Sequence, residues 1–151
     1  MENNIRGLNK KSLFLSAAIP AFCLYLITLS PTVSSEDSGE LITAAYTLGI
    51  AHPPGYPIWC ILGKLFSFLP IGNVAYRVNL LSTTLGALAV GVLALITYRF
   101  IKNYSISLFS ALVFAVSRDF WNQSVVAEVY TLNVLFFLLL IYFLLTYEDT
   151  L

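Results

Sequence analysis

Long uncharged runs of hydrophobic residues, separated by short polar segments, dominate the sequence. A helix needs about 20 apolar residues to cross the bilayer core. A shorter uncharged run is therefore a candidate span only if neighbouring residues can extend it to that length. Four runs meet this condition, at about 13–29, 74–100, 104–121 and 129–147. The run at 104–121 is the weakest, because its uncharged part ends at Ser117 and it must extend into Phe120 and Trp121 to cross. The pattern predicts an all-α membrane protein with about four transmembrane helices.

The first run follows a basic segment, as the apolar part of a signal peptide also does. However, it is long for a signal peptide, contains Pro20, and is not followed by a clear cleavage site of small residues. We therefore predict that 13–29 is a retained span and that 1–12 is a cytoplasmic N-terminus.

The segment 30–73 joins the first two spans and is too apolar for a solvated loop. Its spacing of apolar and polar positions predicts two short helices, at 38–49 and 58–69, that lie in the membrane interface. Between them, 51–57 contains three prolines, which prevent a helix and form a stiff corner.

Small residues recur every four positions in the second span, at Thr83, Ala87 and Gly91. Such a ridge allows a neighbouring helix to approach closely. We expect this span to lie between other helices.

Composition supports a membrane location. Hydrophobic residues make up 58% of the chain and charged residues only 11%, against about 25% in soluble domains. The mean hydropathy of +0.82 excludes a soluble globular enzyme. The formal net charge is zero, so the basic surplus that nucleic-acid binding needs is missing. Cys23 and Cys60 lie in apolar runs, and no disulfide is predicted from them.

Basic residues predict the orientation, because they collect on the cytoplasmic side. With the N-terminus inside, the cytoplasmic cations are Arg6, Lys10, Lys11, Arg99 and Lys102. The segment 30–73 is then extracytoplasmic, together with Lys64, Arg77 and Arg118.

Three acidic residues, Glu36, Asp37 and Glu40, follow the first span within five positions. One interpretation is a capping box, in which Asp37 is the N-cap of a helix and Glu40 closes on its backbone. The other is that Asp37 is a general base that takes a proton from an acceptor hydroxyl. Local evidence alone favours the cap.

Other polar residues also have two interpretations. His52 either contacts substrate or is a turn residue bonded to backbone, and without a second histidine we predict no metal site. Glu128 is either catalytic or placed at a helix N-terminus by the helix dipole. Arg77 either binds phosphate or anchors its span at the lipid headgroups.

Separated motifs in a fixed order carry a family resemblance, which covers about 31–147. The motifs occupy 37–41, 48–57, 77–82, 120–123 and 127–133. Together they resemble the N-terminal region of a family of polytopic membrane proteins. That family contains bacterial proteins of unknown function and the eukaryotic transmembrane protein O-mannosyltransferases.

The resemblance implies part of a GT-C fold and a glycosyltransferase activity. Such an enzyme moves a sugar from a polyprenyl-phosphate donor to a hydroxyl of a protein or glycan acceptor outside the cytoplasm. Asp37 matches the catalytic base, and we add Glu40 and Glu128 as further catalytic candidates. Candidate substrate-binding residues are His52, Tyr56, Lys64, Arg77 and Arg118, the three cations facing the leaving phosphate. No cofactor is predicted with certainty.

A complete enzyme of this kind has many more spans. We therefore expect that the C-terminal end, 148–151, is truncated, and that membrane lipid and further helices, of a longer chain or a partner subunit, surround this part. A bacterial plasma membrane is favoured over the endoplasmic reticulum. Two alternatives stay open: a non-catalytic membrane scaffold or subunit, and a transporter fragment in which 52–57 is a re-entrant loop.

Overall fold

A computed structural model describes residues 2–34 and 37–148, and the side chains of 10–34 and 37–147 within them. Glu36 and the predicted C-terminal end beyond Glu148 lie outside these residues. The described ranges contain helices and no strand, which confirms the all-α prediction. The helices are α1 (Glu2–Ile27), α2 (Ser38–Thr47), α3 (Pro57–Ser67), α4 (Val74–Ile101), α5 (Tyr104–Ala115), α6 (Arg118–Ser124) and α7 (Tyr130–Glu148).

Within the described residues, three helices are long and apolar enough to cross a membrane: Lys10–Ile27, Val74–Ile101 and Tyr130–Tyr147. They correspond to three of the four predicted spans. The protein is therefore a helical membrane protein, as its composition predicts.

The predicted third span, 104–121, is not one helix. It consists of α5 and α6, joined at Val116 and Ser117, because Ser117 has an extended backbone (ψ 135°) and begins α6 as its N-cap. The twelve residues of α5 reach about 18 Å at 1.5 Å each, less than the bilayer core.

One end of this broken segment nevertheless meets the middle of α1, and the other end meets the residue that follows α1. The Tyr104 hydroxyl donates to Ser16 Oγ at 2.9 Å, while the Trp121 indole N–H donates to Thr28 Oγ1 at 2.9 Å. The segment 104–121 thus runs alongside the second half of α1, from Ser16 to Thr28.

Helix α4 is the centre of the bundle and packs against α1, α5 and α7. The predicted ridge of small residues faces these neighbours, since Thr83 and Ala87 are buried. A Cβ atom added at Gly91 would lie 2.5 Å from the ring of Phe14 on α1. The close approach predicted for this ridge is confirmed.

Both predicted short helices are present in the segment 30–73. Helix α2 ends two residues earlier than predicted, because Leu48 adopts a left-handed conformation (φ 56°) that stops it. Helix α3 ends at Ser67 rather than Leu69. The two helices touch at Gly63, where an added Cβ would lie 2.8 Å from Ala45 Cβ. This contact fixes α2 on α3.

Candidate functional site

Asp37, Glu40 and His52 come together where the segment between α2 and α3 folds back on the first turn of α2. The backbone N–H of His52 donates to Glu40 Oε1 at 2.6 Å, and its ring Nδ1 lies 3.1 Å from Glu40 Oε2. The other ring nitrogen, Nε2, lies 3.9 Å from Asp37 Oδ2. Three of the predicted site residues therefore form one cluster.

Asp37 occupies the N-cap position of α2, but its side chain makes no capping hydrogen bond. Only its carbonyl takes part in the helix, accepting from Leu41 N–H at 2.9 Å. Glu40 does not close a capping box, because its carboxylate is turned to His52. The capping-box interpretation is therefore wrong. The Asp37 carboxylate is 63% exposed and available to a substrate.

Hydrogen bonds from His52 hold Glu40 in its ionised form. The bond from the His52 side chain, followed by that from its backbone N–H, lowers the pKa of Glu40 below its ordinary value. An ionised carboxylate only accepts hydrogen bonds, so Nδ1 of His52 carries the proton. In neutral His52, Nε2 is then the unprotonated nitrogen, 3.9 Å from Asp37 Oδ2.

The corner that carries His52 is a tight turn with several special backbone conformations. Gly55 N–H donates to the His52 carbonyl at 2.8 Å, and both Gly55 (φ 88°) and Tyr56 (φ 44°) have positive φ. The Tyr56 ring meets the His52 ring edge-on, 5.4 Å between centroids. His52 is thus a turn residue and a partner of the acidic residues at once.

Glu128 is buried in the connection before α7, which begins only at Tyr130. Its carbonyl accepts from the Trp59 indole N–H at 3.0 Å and from Ser82 Oγ at 3.2 Å. Its N–H donates to the same Ser82 oxygen at 3.2 Å. The backbone of Glu128 thus joins α3 and α4 to the start of α7.

An apolar groove of about 240 Å³ connects the surroundings of Glu128 with the corner. It lies between the start of α3 and the start of α7. Tyr56, Trp59 and Val129 are among its lining residues. Because Tyr56 also contacts His52, the groove begins beside the cluster of Asp37, Glu40 and His52.

Two of the three predicted phosphate-binding cations are engaged with backbone carbonyls. Lys64 Nζ donates to the Tyr46 carbonyl at 2.5 Å and lies 4.7 Å from the centre of the Tyr46 ring. Arg77 donates to the carbonyls of Ser67, Ile71 and Gly72 at 2.6–3.0 Å. Arg77 therefore fixes the turn between α3 and α4, a role that neither predicted interpretation included.

Arg118, the third predicted cation, is exposed at the start of α6. Among the described residues it has no hydrogen bond or ion pair. Its guanidinium is exposed and accessible to an anion.

Asn79 is a positioning residue whose role was not predicted. It is fully buried, and its Nδ2 donates to the carbonyls of Ser30 and Thr32 at 2.9 and 3.1 Å. These bonds anchor the chain that leads from α1 to Asp37. An amide within an apolar span was the only signal for this role in the sequence.

The three side chains of the cluster also have the chemistry of metal ligands. One potential ligand atom from each of Asp37, Glu40 and His52 lies within 4.8 Å of the others. Carboxylate and imidazole groups suit divalent cations such as Zn²⁺ or Mn²⁺. The sequence analysis predicted no metal site because the chain has one histidine, but the two carboxylates beside that histidine have the chemistry of further ligands.

Comparison with known proteins gives one consistent result. Residues 37–151 match the family described as the N-terminal domain of the protein O-mannosyl-transferase TMEM260. A protein of that name from Mus musculus is 40% identical over 95% of this chain and 20% of its own length. One from Dictyostelium discoideum is 35% identical over 86% of this chain and 16% of its own length. The chain thus spans a fifth or less of these curated relatives, and no solved structure matches it significantly.

Proposed function

The chain belongs to the TMEM260 family of protein O-mannosyl-transferases, and we propose that it forms the N-terminal part of a membrane glycosyltransferase. The donor is a sugar on a polyprenyl phosphate, and the acceptor is a hydroxyl on the extracytoplasmic side. The expectation of a bacterial plasma membrane gains no support from the two relatives, both eukaryotic.

Asp37 is the general base in this proposal. The observation that carries the assignment is that its carboxylate is exposed and makes no capping hydrogen bond, although it stands at an N-cap position. It takes the proton of the acceptor hydroxyl while the oxygen forms a bond to the sugar. The bond between sugar and phosphate breaks, and its electrons leave with the polyprenyl phosphate.

Glu40 and His52 position the base. Two hydrogen bonds tie the corner to the first turn of α2, so that Asp37 and the Nε2 of His52 face the same space. An aligned hydroxyl supplies much of the rate of such a displacement. The groove that begins at Tyr56 is apolar, and it suits the polyprenyl chain of the donor.

The leaving phosphate needs a cation. Arg118 is our first choice, because it is exposed and has no partner among the described residues. Arg77 uses three of the five N–H groups of an arginine on carbonyls, and it stays a second choice beside Lys64. Glu128 acts through its backbone, by holding the start of α7 against α3 and α4.

The test is Asp37→Asn in the complete protein, assayed for sugar transfer from a polyprenyl-phosphate sugar. We expect transfer to fall at least 100-fold, the lower end of the contribution of a general base, with unchanged membrane insertion. Asp119→Asn is the matched control, since Asp119, like Asp37, is an exposed acid at the start of a short helix. Unchanged transfer in Asp37→Asn would reject the base and favour the non-catalytic scaffold.

A further inference from the structure

A polar cavity of about 90 Å³ lies at the opposite end of the bundle, between α1, α4 and α7. The ends can be told apart because Asn79, near the start of α4, bonds the chain after α1, while the last turns of α4 surround this cavity. Its walls carry three cations, two phenols and a hydroxyl. The lining residues are Lys10, Leu95, Tyr98, Arg99, Lys102, Tyr142 and Thr146.

The electrostatic character of the cavity is basic. Lys10 lies on α1 while Arg99 and Lys102 lie at the end of α4, and none of the lining residues that the structure describes is acidic. Tyr98 and Arg99 also make other contacts within the protein, so the argument rests on the two exposed lysines. The side chains of Glu148 and Asp149 lie outside the described residues.

A second, apolar groove of about 410 Å³ adjoins this cavity. The two share Lys10, Leu95 and Tyr142 as lining residues. The groove adds Phe14 and Leu15, which lie further along α1 towards the middle of the span. A charged chamber at the helix ends thus continues into an apolar channel directed into the bilayer.

We propose that this composite site binds an anionic phospholipid. The phosphate of the headgroup lies among the cations of the cavity, and an acyl chain lies in the groove beside Phe14 and Leu15. Basic pockets between transmembrane helices bind anionic headgroups in this way. A free phosphate would fill only the cavity, whereas a phospholipid fills the cavity with its headgroup and the groove with an acyl chain. The proposal does not depend on the sugar transfer.

Lys10 and Lys11 offer a matched comparison. Lys10 lines both the cavity and the groove, while Lys11 lines only the groove. Both are exposed and adjacent in sequence. A general attraction between basic residues and an anionic surface affects the two lysines equally, but a headgroup in the cavity depends on Lys10.

The experiment titrates the full chain in zwitterionic detergent with phosphatidylserine or phosphatidylcholine of identical acyl chains, and native mass spectrometry counts the bound lipid. We expect tighter binding of phosphatidylserine. The double variant Lys10→Gln/Lys102→Gln should lose roughly 30-fold in affinity, since each cation contributes about 1 kcal/mol. Lys11→Gln should change the affinity less than threefold. Leu15→Trp, which fills the groove, should weaken both lipids.

Equal affinity for the two lipids would overturn the proposal, as would an equal loss in Lys11→Gln and Lys10→Gln. Tighter binding of a polyprenyl phosphate than of phosphatidylserine would also overturn it. If the double variant does not fold, Leu15→Trp decides: unchanged phosphatidylserine binding excludes an acyl chain from the groove.

Discussion

His52 and Glu40 are joined by two hydrogen bonds, one from the backbone N–H of His52 and one from its ring. They are twelve positions apart in the chain, so the pair closes a loop from the first turn of α2 to the proline corner. The same carboxylate that would have closed a capping box holds this loop instead. The pair therefore determines where the corner lies relative to Asp37.

The first prediction concerns the backbone amide of His52. Because this amide donates to Glu40 Oε1 at 2.6 Å, it should exchange slowly with deuterium. Glu40→Ala removes the acceptor and should abolish the protection, while Glu40→Gln keeps an amide oxygen and should preserve part of it. Hydrogen exchange read by mass spectrometry across the 48–56 segment measures the difference.

Thr43→Val is the control for this experiment. Thr43 is exposed on α2, and its hydroxyl bonds only the Gly39 carbonyl within the helix. Protection of His52 should be unchanged in this variant. Equal exchange in Glu40→Ala and the unaltered protein would contradict the hydrogen bond.

The second prediction concerns the pH range in which the pair persists. His52 lowers the pKa of Glu40 relative to the unfolded chain. A carboxyl group of this kind stabilises the fold above its unfolded pKa, and the contribution is lost as the pH falls through the lowered folded pKa. Carbon-13 NMR of the Glu40 carboxyl should show a midpoint below the ordinary glutamate range.

His52→Ala should return this midpoint towards the ordinary value, because the largest cause of the shift is then gone. A Glu40 midpoint that is unchanged by His52→Ala would assign the shift to another cause.

Much of the fold follows from residues that are read locally. The prolines at 53, 54 and 57 predicted the corner, and the apolar runs predicted α1, α4 and α7 to within a few residues, except that the first turns of α1 precede its apolar run. The break at Ser117 was not predicted, because a serine between apolar residues does not reveal whether its backbone is helical or extended. Tertiary contacts decide that.

The sequence analysis selected the residues of the cluster as candidates, but it could not predict contacts between residues that are remote in the chain. Asp37, Glu40 and His52 lie in motifs that the resemblance marked, but their convergence required the fold. The hydrogen-bond acceptors of Arg77 and Lys64 are backbone carbonyls. The pattern of side chains in a sequence does not show which backbone carbonyl will accept from a given cation. Those two cations were therefore assigned to phosphate on charge alone.

The third prediction concerns the contact between α2 and α3. A methyl group at position 63 would lie 2.8 Å from Ala45 Cβ, and neither atom can rotate away. Gly63→Ala should therefore separate the helices and lower the free energy of unfolding by roughly 1–3 kcal/mol, the usual cost of overpacking. Unfolding in mixed micelles measures it.

Ala45→Gly in the same chain should restore most of this loss, because the poorer helix propensity of glycine in α2 is offset by the better propensity of alanine in α3. The recovery is the diagnostic result, because it shows that the two positions interact. If the effects of the two substitutions simply add, the helices do not touch at this point.

The fourth prediction concerns the side of the membrane on which the two ends of α5 lie. Helix α5 is short, but Tyr104 contacts α1 at Ser16 and Trp121 contacts Thr28 just after α1, so the segment 104–121 runs along the second half of a spanning helix. Lys102 and Arg118 should therefore lie on opposite sides of the membrane.

Cysteine labelling tests this arrangement. In a background without Cys23 and Cys60, an impermeant maleimide should label Arg118→Cys from outside, and Lys102→Cys only after permeabilisation. Labelling of both positions from one side would mean that α5 and α6 turn back without crossing.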